Sequence, residues 1–311
     1  MTGPLSIDRR PRRVLVTGGG GFIGRHALPD LVARGWEVHA AGRSPLPSEM
    51  AAGVVFHLCD LLAEGDAARV VETVRPTHLL HLAWNAVPGR FWTAPDNLDW
   101  VAASLRLYRA FAACGGKRAV LAGTCAEYDW SHAELSEATT PLAPHTLYGQ
   151  AKNAFRTLAE GTAGALGVEV AWGRIFFLYG PHEAPSRFVP DVITSLLKGE
   201  PALCSHGRQE RDFMHVADVA RAFVALLESN HTGPVNIASG TALPLSTVVD
   251  VIARLIGRPD LVRLGARPAP AGDPPRLAAA VGVLRDQVGF HPRFDLESGL
   301  RDAVEWWRPR C

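Results

Sequence analysis

Tyr148 and Lys152 stand four residues apart in the run Tyr148-Gly149-Gln150-Ala151-Lys152. On a helix that spacing puts both side chains on one face. An ammonium there favours the phenolate and lowers the tyrosine pKa. Thr124 closes an apolar run and can bring a hydroxyl beside the phenol, where it would orient a substrate carbonyl. A tyrosine held this way passes a proton to or from an alcohol oxygen while a nicotinamide moves the hydride. The run Thr17-Gly18-Gly19-Gly20-Gly21-Phe22-Ile23-Gly24 supplies a place for such a dinucleotide. The class of reaction follows from these three pieces; the substrate does not.

In the glycine run, Gly18, Gly21 and Gly24 follow an apolar strand and open a helix. The first permits a tight turn, the second lets backbone approach a pyrophosphate, and the third lets helix pack on strand. The helix N-terminus then offers free N–H groups and a positive dipole end to the anion. About 20 residues further on, at the tip of the second strand, a dinucleotide fold reads the adenosine ribose. An acid at that place would accept from the 2′-hydroxyl of NAD. This chain has Gly42-Arg43-Ser44 instead. A guanidinium with an adjacent hydroxyl suits a 2′-phosphate, so NADP(H) is favoured over NAD(H). Asp60, at the third strand's end, is placed to accept from the adenine amino group.

The elements that must position these residues alternate. Strands are expected at residues 14–16, 38–41, 54–58, 77–82, 119–123 and 168–174. Helices are expected up to residue 33 with Gly35 as cap, then at 63–74, 97–114 and 148–166. This alternation implies an α/β, Rossmann-type, doubly wound parallel sheet covered on both faces. After Arg174 the rhythm loosens. Residues 181–190 and the Pro/Gly-rich 267–275 read as loops. Short strands are expected at 201–204 and 213–216, and helices at 217–227, 247–256 and 296–307. We therefore expect a dinucleotide-binding domain over residues 1–174 and a smaller C-terminal substrate-binding lobe over 175–311. Segments at about 211–237 are candidates to cross back to the first domain.

The chain has 311 residues, with 32 basic and 31 acidic side chains and a net charge of +1. That length supports a large core, and that balance gives no support to a nucleic-acid partner. The five cysteines are scattered with no C-x-x-C pair, which reads as free thiols in a reducing compartment and no metal site. Residues 1–13 are rich in Arg and Pro and lack an apolar core, so they are not a signal peptide. No run approaches the roughly 18 apolar residues of a membrane span. The expectation is a cytoplasmic protein with no membrane partner.

Taken together, Thr17 to Gly24, His81-Leu82-Ala83, Thr124 to Tyr128, Tyr148 to Lys152 and Arg211-Asp212-Phe213-Met214-His215-Val216 resemble the extended short-chain dehydrogenase/reductase family. Within it they look like the nucleotide-sugar epimerases, dehydratases and reductases, over nearly the whole chain and in the right order. The resemblance implies Tyr148 as general acid/base and Lys152 as the residue that lowers its pKa and bonds the nicotinamide ribose. It implies Thr124 as the hydrogen-bond donor to the reacting oxygen. It further implies that Phe22, Ile23, Leu61, Leu82 and Ala83 line the cofactor and that Phe177 touches substrate. Arg211, with Arg276, would hold the sugar nucleotide's diphosphate. Family members often dimerise through the helices at 97–114 and 148–166, so a homodimer is expected; Leu105, Tyr108, Phe155 and Leu158 are compatible with such an interface and also suit ordinary packing on the sheet.

Dehydratases of this family carry an Asp-Glu pair directly after the threonine. Here Cys125 and Ala126 stand there, which argues against dehydration. Glu127 comes one place later. The family's 3,5-epimerase/reductases place a Cys two residues before the strand-end tyrosine, where this chain has Ala126; Cys125 and His182 read as a buried free thiol and a loop histidine in preference to a displaced acid–base pair. What remains is ketoreduction or 4-epimerisation. Arg43 and the stretch from Gly123 to Trp130 favour an NADPH-dependent reductase acting on the C4 keto group of a nucleotide-diphospho-4-keto-6-deoxyhexose. The alternatives are an NAD-dependent nucleotide-sugar 4-epimerase and, in another class, a non-catalytic NADP(H)-binding sensor or scaffold.

Overall fold

The computed structural model describes residues 12–311. Most of the leader reading, residues 1–11, lies outside the described residues. The strands are β1 (Arg13–Thr17), β2 (Glu37–Gly42), β3 (Val54–Leu58), β4 (His78–His81), β5 (Arg118–Thr124), β6 (Glu134–Leu135), β7 (Glu169–Ile175), β8 (Phe177–Tyr179), β9 (Ala202–Leu203), β10 (Glu210–His215), β11 (Gly233–Ile237), β12 (Ala242–Pro244), β13 (Val262–Arg263) and β14 (Arg276–Ala279). The helices are α1 (Gly24–Ala33), α2 (Ser48–Ala51), α3 (Asp66–Val74), α4 (Asn97–Ala113), α5 (Leu147–Leu166), α6 (Phe188–Leu197), α7 (Val216–Glu228), α8 (Leu245–Ile256) and α9 (Leu296–Trp307).

Seven strands form one parallel sheet in the order β3-β2-β1-β4-β5-β7-β11. Val14, Leu15 and Val16 of β1 are fully buried because helices cover both faces of the sheet. Each such side chain contributes about 1.5–3 kcal/mol by leaving water. One face packs Leu28 and Leu31 of α1 and Phe223 of α7 over the strands. The other packs Val70 and Val71 of α3, Leu107 and Phe111 of α4, and Phe155 of α5. Strand order reverses between β1 and β4, and at such a point the carboxyl ends of the strands open a crevice. Thr17, His81 and Thr124 all lie at carboxyl ends of their strands.

The chain leaves this sheet after β7 and returns to it. Residues of α7 join the α1 face, and β11 pairs with β7 at the sheet's edge. Arg118 secures the return, its guanidinium donating to the carbonyls of Leu226, Leu227 and His231 at the end of α7. A second sheet, β12-β10-β14-β6 with β8 beside β10, builds the smaller lobe. Around it α6, α8 and α9 pack through Val192, Ile193, Val249, Ile252, Leu300 and Val304.

Two expected elements differ. The loop reading of residues 181–190 gives way at Phe188, where α6 begins. Pro190 sits in that helix's first turn, where its missing N–H costs no hydrogen bond. β10 starts at Glu210 and not at 213, because Glu210 and Arg211 pair with β14 and β12. Of the positions compatible with either a dimer interface or packing on the sheet, Tyr108 and Phe155 are buried between helices and sheet, and the Tyr108 hydroxyl donates to the Ala159 carbonyl at 3.2 Å. Leu158 of the same set remains exposed, as does Leu98 on α4.

Candidate active site

The glycine loop runs from β1 into α1. Gly18 adopts a left-handed φ of 73°, and a Cβ there would stand 2.8 Å from the Ala83 nitrogen and 2.9 Å from the Leu82 carbonyl carbon. Leu82 and Ala83 are therefore the wall against which the loop closes. The Gly21 N–H donates to the Gly18 carbonyl at 2.9 Å. Ile23, at the start of α1, has no side-chain cap. The N–H groups of Phe22 and Ile23 have no backbone acceptor among the described residues. A close backbone approach beside unclaimed N–H donors at a helix N-terminus fits a dinucleotide's pyrophosphate.

Arg43 and Ser44 are exposed at the tip of β2, and no acidic residue stands at that tip. Asp60 turns back on its own loop and accepts from the Leu62 N–H at 3.1 Å. Leu61, next to it, is buried with Leu15, Ala41 and Val70.

Thr124 is the last residue of β5 and caps a short 3₁₀ turn, Cys125–Glu127. Its hydroxyl accepts from the Ala126 N–H at 3.2 Å, and its own N–H donates to the Glu127 carboxylate at 2.8 Å. Helix α5 is capped by Thr146, which accepts from the Gly149 N–H at 3.1 Å. It lies hard against the 3₁₀ turn, for a Cβ at Gly149 would be 2.3 Å from the Ala126 carbonyl oxygen. That contact is what brings Tyr148 to Thr124.

The Tyr148 ring is enclosed by Phe91 (4.9 Å between centroids), Trp92 (5.8 Å) and Trp84 (6.4 Å), all edge-on. Burial of the hydroxyl pushes its pKa above the ordinary tyrosine value; the Thr124 hydroxyl and the Arg187 guanidinium oppose that rise. The net direction is therefore upward, opposite to the lowering expected from the Tyr148/Lys152 spacing. The Lys152 ammonium donates to the Ala122 carbonyl at 2.8 Å and lies 3.8 Å from the Trp84 ring centroid and 6.0 Å from that of Tyr148. Burial pulls the Lys152 pKa down to about 7.

Glu127 has no freedom for substrate. It is fully buried and accepts from Trp172 Nε1 at 3.0 Å and Arg174 Nε at 2.8 Å. Arg174 also donates to the Tyr128 hydroxyl at 2.9 Å, which donates to Asn236 Oδ1 at 2.8 Å. Asn236 on β11 then donates to the carbonyls of Leu135 and Ala280. A buried polar chain thus ties the Thr124 turn to three strands of the large sheet and to the small one.

Cys125 is buried against Leu135, Phe176 and Leu277, and burial pushes its thiol up to about 12. His182 takes a left-handed φ of 72°, bonds Arg25 and packs on Trp306. The two share no neighbour, so no Cys/His acid–base pair exists. The Arg211 guanidinium donates to Asp273 at 2.6 Å and to the Glu210 carbonyl at 2.8 Å, and lies 5.4 Å from the Phe177 ring. Asp273 lines a surface cavity of about 420 Å³ with Trp130, Ser131 and His145. Arg276 is paired with Glu210, its register partner on the adjacent strand. Adjacent residues of a strand face opposite ways, so Arg276 shares a face with Glu210, and Arg211 occupies the other. The structure does not bring the two guanidiniums together as the expected diphosphate clamp.

Arg187 escaped the sequence reading. It precedes α6, and its guanidinium lies 5.4 Å from the Phe91 ring, close enough to act on the Tyr148 hydroxyl. Nothing local marks it; only the tertiary contact of its side chain with Phe91 brings it there.

No helix among the described residues is long and apolar enough to cross a membrane, and no group of three or more His, Cys, Asp or Glu among them could hold a metal. Residues 14–238 match the model of the NAD dependent epimerase/dehydratase family. UDP-glucuronic acid decarboxylase 1 of Arabidopsis thaliana is 26% identical over 326 residues, covering 99% of this chain and 72% of that protein. The UDP-glucose 4-epimerase of Thermus thermophilus, solved in complex with NAD, superposes with a TM-score of 0.84 at 28% identity over 96% of this chain and 100% of that one. MoeE5, solved with UDP-glucose and NAD, gives 0.82 at 32% identity over 96% of this chain and 99% of that one.

Proposed function

This chain belongs to the NAD-dependent epimerase/dehydratase family and is an oxidoreductase-type enzyme, and on that premise we propose that it reduces the C4 keto group of a nucleotide-diphospho-4-keto-6-deoxyhexose with NADPH. The observation that supports this reading is the exposed Arg43-Ser44 pair at the acid-free tip of β2, together with Tyr148 set beside Thr124 in an aromatic-walled pocket. A guanidinium and a hydroxyl at that tip suit a 2′-phosphate, and a phenol beside the threonine can deliver a proton to a new alkoxide. The aromatic walls also suit a sugar whose C6 is a methyl group. Dehydration lacks its acids, since Cys125 and Ala126 follow Thr124 and Glu127 is consumed by Arg174 and Trp172.

In this reading Gly18, Gly21, Phe22, Ile23 and Gly24 cradle the pyrophosphate, Leu82 and Ala83 wall it, and Asp60 faces the adenine. Arg43 and Ser44 meet the 2′-phosphate. Bound NADPH supplies the hydride. Thr124 donates to the keto oxygen and orients the carbonyl. Tyr148 then gives its proton to the oxygen, and the Lys152 charge steadies the phenolate left behind. Arg211 turns from Asp273 toward the diphosphate, with Phe177 beneath it. Leu98 and Leu158, exposed on α4 and α5, make those helices the homodimer face of this reading.

The test is cofactor oxidation at 340 nm with nucleotide 4-keto-6-deoxysugars as substrates. Stoichiometric NADPH consumption and a C4-hydroxyl product support the reading. A second reading, the 4-epimerase, draws on the relatives solved with NAD. It requires tightly held NAD and interconversion of C4 epimers with no net cofactor consumption; that result would overturn the reductase.

A further inference from the structure

We propose that Trp84 is a positioning residue for the lysine of the catalytic pair: its indole face, 3.8 Å from the Lys152 nitrogen, takes the ammonium in place of a carboxylate. The proposal rests on the role given to Tyr148 and Lys152 above.

Lys152 is buried, yet it has a single hydrogen bond, to the Ala122 carbonyl, and no ion pair among the described residues. The groups facing it are few. Glu127, on the turn after β5, is the nearest acid to act on it, but that carboxylate is held by Arg174 and Trp172. Tyr148 lies one turn back on the same helix. His81 from β4 is fully enclosed, shares hydrogen bonds with Thr17 and Ser104, and is pushed down to about 3 by burial and by Lys152 itself, so it stays neutral. The remaining neighbour is the Trp84 ring, and a desolvated ammonium over an indole face is where a cation–π contact is strongest.

The choice of a ring over an acid has a consequence. A carboxylate against Lys152 would cancel the lysine's field at the phenol. An indole face stabilises the ammonium without adding a negative charge, so the field on Tyr148 survives. The ring is fixed for this purpose: its Nε1 donates to Asn97 Oδ1 at 2.9 Å, Asn97 in turn donates to the Phe91 and Ala94 carbonyls, and Trp100 packs beside it. Asn97 is buried at the start of α4, so Trp84 is anchored to a rigid element.

The chain contains only three lysines, Lys117, Lys152 and Lys198, which makes a direct test practical. Protein labelled with ¹³C,¹⁵N-lysine gives three lysine spin systems, and Lys152→Met identifies one of them. In the wild-type protein the Lys152 ε-methylene protons should be displaced upfield by the indole ring current. Trp84→Leu should lower the Lys152 titration midpoint by about one pH unit or more, and Trp84→Phe by roughly half as much. The alkaline limb of the pH–rate profile should move down by the same interval. A midpoint unchanged in Trp84→Leu, or ε-methylene protons at ordinary shifts in wild type, overturns the proposal. The wild-type shifts and Trp84→Phe decide the matter even if the leucine variant does not fold. The lysine signals report on Trp84 whatever the substrate is. A normal Trp84 effect beside a fully active Tyr148→Phe would sink the catalytic reading alone.

Discussion

Lys152→Met should stabilise the cofactor-free protein near neutral pH while abolishing turnover, and the gain should shrink as pH rises. The ammonium titrates at 10.5 in the unfolded chain and is pulled to about 7 by burial in the folded one. Between those values the unfolded chain binds the proton more tightly, so folding is penalised below pH 10.5 and the penalty is complete below pH 7. Burial alone sets that penalty at about 4 kcal/mol at pH 7, and the Trp84 face returns about 1–2 kcal/mol of it. By pH 9.5 it falls to about 1 kcal/mol. Urea unfolding of wild type and Lys152→Met at several pH values measures the difference between the two proteins, in which every other titrating group cancels. That difference should favour the variant by about 2–4 kcal/mol at pH 7 and narrow by about 2–3 kcal/mol at pH 9.5. A difference that varies by less than about 1 kcal/mol across this interval would mean that Lys152 is not held out of its charged state by burial, and the reasoning fails.

Three other outcomes are expected. Tyr148→Phe should lower kcat by roughly 10²–10⁴-fold and leave the cofactor's Kd nearly unchanged; steady-state rates and fluorescence titration check this, and near-normal turnover would remove Tyr148 from the chemistry. Arg43→Asp should move the kcat/KM ratio away from NADPH toward NADH by at least tenfold, because an acid repels the 2′-phosphate and accepts from a 2′-hydroxyl; an unchanged ratio would leave Arg43 without a cofactor role. Glu127→Gln keeps the shape but leaves the Arg174 charge buried without its partner, a change that costs about 3–5 kcal/mol. A urea midpoint within experimental error of wild type would refute the account of the buried polar chain.

Local spacing made the large sheet and the core of the candidate site legible. The Tyr148/Lys152 pair sits on one helix face, and the glycine run sits between a strand and a helix, so both follow from residues within one turn or one loop. What escaped depends on contacts across long chain separations. The partners of Glu127 are not legible beside Thr124: β7 brings Arg174 and Trp172 to its carboxylate, and β11 brings Asn236 to the hydroxyl of the neighbouring Tyr128. Arg211 and Arg276 look like a pair until strand register turns them apart. The expected lowering of the Tyr148 pKa left out the desolvation of the phenol, which rings from a different segment, Trp84, Phe91 and Trp92, impose on it. Tyr108 and Phe155 show the same limit, since an apolar position on a helix does not say which of two apolar partners will cover it.

The return of α7 and β11 to the large sheet bears on how such a protein can change over time. The smaller lobe is not a terminal module. Its pieces are interleaved with the sheet, and Arg118 and Asn236 fasten the returning segment by bonds that reach across more than 100 positions of chain. A single crossover that joined the first half of this chain to the second half of a relative would bring in a foreign seventh strand along with a foreign substrate lobe. Exchange of substrate preference between relatives therefore needs either two crossovers that spare residues 216–237 or the slower route of point changes around the cleft. Chimaeras built with both breakpoints should fold where single-crossover chimaeras do not, unless the relative keeps the partners of Arg118 and Asn236.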